Sequence, residues 1–448
     1  MRSRSIAVLS AFALTACARS EPVAIAPVIV PPPIYATDLP PSGIDREWWL
    51  GYDDPVLDAL VRQGLAANLE IDAATDRLVS AAALLRAERA DRLPSIDGAA
   101  EAGVALSGNP RVDATAGLFG LFNPDLNGRL AAEIRAAIAD YAEADYFRAD
   151  QRRLVAAAIV NQYIEYRRAG AQLELLDQST DLQERTLRIV TLRFEAGLSA
   201  NLDVRRAAAD LAQTRARRGL IAISRTQAEN ALAILLAEPP GLFGVPLEEE
   251  AADIPDYAAG PPVGIPADLL RRRADILAAE ARLARAAADI GIEQADLRPS
   301  LSIPGTLGLG DGTFGGLFGD FLITLGAALD LPLFDGGRRR AEVAAARAEA
   351  QARIAEYRIE FLEALGEVEN ALVAIDAYRQ RNADLREAIE QSETALSQSN
   401  ALYREGLASL FDVLDAQRQL IASRQALIDS EAALASSYAA FHSAVGSD

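Results

Sequence analysis

Residues 299–342 change their period of hydrophobicity from two to a helical repeat, and that change limits what the chain can become. From Leu301 every second residue is apolar or Gly (Leu301, Ile303, Gly305, Leu307, Leu309), while Ser302, Pro304, Thr306 and Gly308 face the other way. The run after the glycine-rich break is cleaner: Phe321, Ile323, Leu325, Ala327, Leu329 and Leu331 alternate with Thr324, Gly326, Ala328 and Asp330, and only Leu322 breaks the pattern. Period two means strand, and two strands of about ten residues suit a hairpin that crosses a membrane. After Gly336-Gly337 the period is helical as far as Glu405.

This unit of strand hairpin and long helix occurs twice. ADRLPSI at residues 90–96 matches ADLRPSL at 295–301, and Gly128-Arg129 falls where Gly337-Arg338 falls. FEAGLSANLDV (194–204) lies over YREGLASLFDV (403–413), with Asn161 and Asn370 coinciding at the same offset. Internal repeats set architecture before other signals do. The leading strand of the first hairpin runs from Ser95 to Leu106, and its return strand, near 114–122, alternates poorly.

Helical pattern covers 56–92, with a turn near Asn68, Leu69 and Glu70, then 128–196 and, returning after Gly197-Leu198, 200–237. A helix over 128–196 is roughly 100 Å long at 1.5 Å per residue, far more than a globular core uses. The second copy repeats this over 267–297, 337–405 and 408–445. Ile354, Phe361, Val368, Ile375, Asn382, Ile389, Leu396 and Tyr403 fall seven apart, with Tyr357, Ala364, Ala371, Tyr378, Leu385, Ser392 and Ser399 between them. The same register in the first copy predicts a seam through Ile159, Tyr166, Leu173, Thr180, Leu187 and Phe194. A strict seven-residue step makes helices coil against their neighbours.

The 448 residues carry a net charge of −20, and every basic residue is Arg. An acidic balance argues against a nucleic-acid partner, which needs a basic face. Arg2 and Arg4, an apolar run over 6–14 and LTAC ending at Cys17 read as an export signal too short to span a membrane. Cys17, the sole cysteine, is either a chance residue at the junction or the lipidated residue of a bacterial lipoprotein box, where acyl chains anchor the N-terminus. Disulfides are excluded. The Pro-rich stretch 21–41 is an extended tether, and 238–266, rich in Pro, Gly and acid, is a connector with room for one short strand.

A strand in lipid cannot leave its edge amides unpaired, so a membrane sheet must close. Two hairpins supply four strands, and membrane barrels need about eight or more. Either these strands lie outside a membrane, or several chains share one barrel.

IPADLLRRRADILAAEARLARAAADIGIEQADLRPSLS, LPLFDGGRRRAEV, WWLGYDDPVLDALVRQGLAAN and YREGLASLFDVLDAQRQL resemble the outer membrane efflux proteins, the TolC-like outer membrane factors of NodT/OprM lipoprotein type. The resemblance covers nearly the whole mature chain. It implies a mainly α fold with membrane β: two repeats of β-hairpin plus long α-helical hairpin per protomer, three protomers closing a 12-stranded β-barrel continued by a helical barrel. The expected organisation is a signal peptide (1–16), a lipidated tether (17–47), a first repeat (48–237; hairpin about 95–123, helical hairpin 128–237), an equatorial connector (238–266) and a second repeat (267–448; hairpin about 299–333, helical hairpin 337–446). The implied function is passive export through the outer membrane, driven by an inner-membrane pump of the resistance-nodulation-division (RND) type through a periplasmic adaptor. Ala274 stands where the family generally has Pro, at a helix start.

The resemblance places Asp203, Tyr403, Asp412 and Asp415 at a periplasmic aperture, where carboxylates from each subunit favour cations or water. Solubility and helix capping explain the same carboxylates without a pore. Relatives tie the aperture with an Arg whose place is Ala408 here. Gly197, Leu198, Ser199, Gly406 and Leu407 resemble the turns that adaptor tips contact, although helix termination alone explains the glycines.

No metal, cofactor or catalytic set is expected. His442 is the only histidine, and Arg271–Arg273 and Arg338–Arg340 read as structural ion pairs at helix starts. Two alternatives stand beside the efflux channel: the outer-membrane channel of type I protein secretion, and a periplasmic adaptor or structural coiled-coil lipoprotein.

Overall fold

The structure, a computed structural model, describes residues 47–105, 111–246, 253–257, 270, 273–309 and 321–446. The export signal, Cys17, most of the tether, both hairpin loops, Arg271, Arg272 and most of the connector lie outside them.

Asp54 starts the first helix, α1 (Pro55–Ala67): its carboxylate accepts from the amides of Val56 and Leu57 at 2.9 and 3.0 Å, and Pro55 takes the position where no amide is needed. The turn expected near Asn68 is a one-residue break. Asn68 Oδ1 caps α2 (Leu69–Ala90) through the amides of Glu70 and Ile71, while its Nδ2 donates to the Leu235 carbonyl. There follow β1 (Ser95–Ala105), β2 (Arg111–Phe122), α3 (Arg129–Glu195) and α4 (Asn201–Leu235). The second copy comprises α5 (Ala274–Ala295), β3 (Ser300–Leu309), β4 (Phe321–Leu325), β5 (Ala328–Asp330), α6 (Arg338–Glu405) and α7 (Leu410–Val445). The long helices have 67 and 68 residues and the returning ones 35 and 36, so the repeat holds in length as well as order. Among the described residues the connector contains no strand.

The return strand of the first hairpin begins three residues earlier than its pattern suggested. Phe119 and Leu121 put large apolar side chains on the face opposite Leu118 and Phe122, which hides the alternation. In the second hairpin one expected strand is divided into β4 and β5. Both pair with β3 in a single register, Gly305 opposite Leu325 and Ser302 opposite Ala328. Pro304 lies between, opposite Gly326; the Gly326 amide donates to its carbonyl at 2.9 Å, but the ring has no N–H to return. One rung loses half its bonding, and the ladder is otherwise continuous.

The chain forms two compact units, one of Ala74–Phe147 and Asp275–Glu360, the other of Arg148–Ala274, Phe361–Asp448 and the segment ending at Ala73. Each takes a share of both sequence repeats. The first holds the sheet. Its helices pack through Leu85 against Ile134 and Ala137, and through Ala286 and Ile290 against Ala350. Arg282 makes two 2.7 Å bonds to Glu360, and Arg129 reaches Asp296 at 2.7 Å.

In the second unit the α6 seam follows the heptad at Phe361, Val368, Ile375, Asn382, Leu396 and Tyr403, which are buried, as are Ala364, Ala371 and, in the first unit, Tyr357, while Tyr378, Leu385, Ile389, Ser392 and Ser399 are half-buried. The α3 seam holds at Ile159 and Tyr166, which are buried, and departs from prediction further along. Leu173, Thr180 and Leu187 are half-buried and Phe194 is exposed, while the lines Gln172, Ser179, Thr186 and Leu176, Gln183, Val190 are buried. These lines also step by seven, but their polar members disguised them. Ser179 and Thr186 satisfy their hydroxyls on the carbonyls of Leu175 and Leu182, four residues back, and so tolerate burial.

Arg273 precedes α5, whose first residue is Ala274, and is buried, bonded to Glu367 at 2.8 Å and to the Ala444 carbonyl. Arg338 pairs with Glu342 at 2.7 Å and Arg339 with Asp335 at 3.4 Å, the ion pairs expected of these runs. His442 is buried in an aromatic cluster, stacked on Trp48 with centroids 5.2 Å apart, its Nε2 2.7 Å from the Tyr257 hydroxyl. Burial pulls its pKa down to about 4.

Candidate functional site

Two places carry the functional reading, one in each unit. The first is the sheet, ordered β1-β2-β3-β4 with β5 continuing beside β3. The two hairpins join through β2 and β3, Leu118 opposite Leu307. The outer edges, β1 and the β4–β5 line, have no partner strand among the described residues.

Pairing sorts the side chains between two faces. One face carries Ile96, Gly98, Ala100, Ala102 and Val104 of β1, then Ala114, Ala116, Leu118, Gly120 and Phe122 of β2. It continues through Leu301, Ile303, Gly305, Leu307 and Leu309 of β3 to Phe321, Ile323, Leu325 and Leu329. None of these can ionise. The other face carries Asp97, Glu101, Thr115, Ser302, Thr306, Thr324 and Asp330. The apolar face is uncovered at its outer strands, where Ile96 is 73% exposed and Leu325 78%, and half-covered at Leu301, Ile303, Leu307 and Leu309. A soluble sheet turns such a face inward, so this one requires an apolar surrounding. Among the described residues no helix is long and apolar enough to cross a membrane.

The second place is where the long helices end, in the second unit. Gly197 and Gly406 adopt left-handed φ of 74° and 75°. At each turn the next residue's amide reaches back five positions, Leu198 to Arg193 and Leu407 to Leu402, both at 2.8 Å. This bonding closes a helix and explains the glycines. It leaves the leucines unexplained, for Leu198 is 69% and Leu407 72% exposed where such a residue usually packs back on its helix. Ser199 donates to the Val190 carbonyl at 3.4 Å.

The helices that restart after these turns differ. Ser409 caps α7, its hydroxyl accepting from the Asp412 amide, while the Asp412 carboxylate takes the Ser409 amide at 2.9 Å and hydroxyl at 2.7 Å. That reciprocal cap holds the Asp412 carboxyl below its usual range. In the first copy Ala200 occupies the cap position, and Asp203 makes no such bond. Asp203 instead lies near Tyr403. Burial pushes the Tyr403 phenol up, the Arg193 guanidinium opposes this, and the Asp203 charge adds to the rise.

Tyr403 sits in a core with Val190, Leu396, Leu410, Val413, Leu414 and Leu420, and its hydroxyl has no hydrogen-bond partner among the described residues. Arg193 lies 4.6 Å from its ring centroid and donates to its carbonyl at 3.2 Å. Asp415 is exposed, with Arg418 3.8 Å away, and Arg418 also approaches Asp210 of α4 at 4.0 Å.

The structure thus brings Asp203 and Tyr403 together, uses Asp412 as a cap and leaves Asp415 on the surface. Sequence reasoning missed Arg193 and Arg418. Asp415 and Arg418 stand three apart on a helix, a spacing that could have found the second; Arg193 falls opposite Leu402 in the repeat, and no periodicity marks it.

An unclosed four-ribbon sheet with one apolar face, joined to two helical hairpins, defines a class of channel subunits. The sequence matches the outer membrane efflux protein family over residues 60–238 and 265–447, and the chain belongs to that family. It is 30% identical over 422 residues to nodulation protein T of Rhizobium leguminosarum bv. trifolii, covering 89% of this chain and 87% of that protein. Outer membrane protein OprJ of Pseudomonas aeruginosa is 31% identical over 390 residues, 84% of this chain and 81% of OprJ. The fold is similar to the outer-membrane channel OprN, with TM-score 0.85 and 28% identity over 95% of this chain and 99% of that one.

Proposed function

We propose that the protein is the outer-membrane channel of a tripartite RND-type efflux system, a passive duct for small molecules. The observation that carries this is the sheet: one face without an ionisable side chain, the other bearing all the acidic and hydroxyl side chains named above among Phe119, Leu121 and Leu322, and outer edges without partner strands among the described residues. Three copies joined edge to edge give twelve ribbons, the apolar face toward lipid and Asp97, Glu101 and Asp330 toward water. The helical hairpins extend into the periplasm, and Cys17 carries the lipid anchor at the outer membrane. Relatives support small cargo over secreted polypeptide: the pyoverdine export protein OpmQ of Pseudomonas aeruginosa and the toluene efflux protein TtgI of Pseudomonas putida are 29% and 28% identical.

In this reading Asp203, Asp412 and Asp415 line the periplasmic aperture with Tyr403 buried behind them, and Gly197, Leu198, Ser199, Gly406 and Leu407 form the turns on which the adaptor docks. Leu198 and Leu407 supply apolar contact at those turns, and the adaptor hands over cargo selected by the inner-membrane pump. The duct itself performs no chemistry.

Purified protein is expected to have the mass of a trimer in detergent and to conduct ions across a planar bilayer. A monodisperse, water-soluble monomer without conductance would refute the reading.

A further inference from the structure

Where β2 gives way to α3, a cleft of about 490 Å³ opens in the first unit. Arg92 and Arg135 line it, and neither guanidinium has a hydrogen-bond or ion-pair partner among the described residues. The only carboxylate in the lining, Asp125, is already engaged, accepting from the amides of Leu130 and Ala131 at 2.9 Å each. Asn123 accepts from the Asp125 amide through Oδ1, and its Nδ2 has no acceptor among the described residues. The cleft therefore offers two spare guanidinium groups and an amide donor, with a net surplus of one positive charge.

Of the remaining lining only Asn127 has a polar side chain, and it is engaged, its Nδ2 donating to the Ala295 carbonyl and its Oδ1 accepting from the Arg129 amide. Phe122 is the last residue of β2 and shares the apolar face with Leu118 and Gly120, so that face runs into the cleft. Leu126, also in the lining, is exposed. Guanidinium groups match phosphate oxygens in geometry and charge, and basic clefts at the rim of a membrane-spanning surface suit lipid head groups. A free phosphate would use the arginines but leave Phe122 and Leu126 facing water.

We propose that this cleft binds the phosphodiester of a glycerophospholipid of the periplasmic leaflet, with Arg92 and Arg135 holding the phosphate and the acyl chains running from Phe122 along the apolar face. This rests on the membrane reading of the sheet. It assigns the site a lipid that is retained by the protein, distinct from the lipid that merely surrounds it.

The test is native mass spectrometry of the full-length protein released from detergent and titrated separately with phosphatidylglycerol, phosphatidylethanolamine and inorganic phosphate, with conductance recorded in parallel. Both lipids are expected to remain bound to the wild type. Each arginine removed should weaken retention about tenfold, so R92Q/R135Q should lose it, while R92K/R135K keeps part of it. Conductance should not change in either variant. Equal lipid retention by a conducting R92Q/R135Q protein would overturn the proposal, as would displacement of bound lipid by inorganic phosphate at matched concentration. A wild type that never conducts would instead bring down the membrane reading, and this proposal with it.

Discussion

His442 shows what a single buried residue costs when it changes charge. Its folded pKa, about 4, lies below the 6.5 of an unconstrained imidazole, so the unfolded chain binds the proton more readily. The stability it contributes is complete above pH 6.5, falls as pH drops, and levels off below 4, a total of about 3 kcal/mol. Thermal unfolding followed from pH 7 to 4 should show that slope, and H442Q should flatten it. Asp412 has the opposite use of charge: S409A should cost about 1 kcal/mol of α7 stability in denaturant titration and let the Asp412 carboxyl titrate nearer its ordinary range. The sequence made the Asp412 cap legible, because Ser and Asp three apart after a glycine turn are a helix start. It did not reveal that Ala200 withholds the same cap from Asp203, nor that Arg193 covers Tyr403. Those depend on which helices meet, and spacing along one chain does not carry that.

At the scale of elements, pattern located every long helix and both hairpins, and it failed where polarity and burial part company. The α3 seam was misplaced because Ser179 and Thr186 bury their hydroxyls on their own helix. The break between β4 and β5 follows from the missing donor of Pro304, which alternation alone treats as one more residue on the polar face. P304A should restore that donor, join β4 to β5 and protect the new amide at position 304 from hydrogen exchange; an amide that exchanges as freely as a loop would contradict this. Where α3 meets α6, the unpartnered Tyr403 hydroxyl makes Y403F nearly neutral, within about 0.5 kcal/mol. R193A should cost about 1 kcal/mol, through the lost ring contact and carbonyl bond. Unfolding of the two variants by urea distinguishes ring from hydroxyl.

For the whole molecule, the repeat and the strand count left two readings, strands outside a membrane or a barrel shared by several chains, and the family resemblance implied the second. Two expectations belong here. C17S should leave protein that no longer incorporates labelled palmitate, and continued labelling would move the anchor elsewhere. D412N/D415N should reduce cation preference in planar bilayers; unchanged selectivity would take both carboxylates out of the conduction path. The edges of β1 and of the β4–β5 line, without partner strands among the described residues, carry a further consequence. On the proposed reading a solitary chain meeting the bilayer would have to strand two rows of peptide groups in oil, so entry into the lipid and the meeting of subunits would be one event. Insertion should therefore quicken more steeply than linearly with protein concentration.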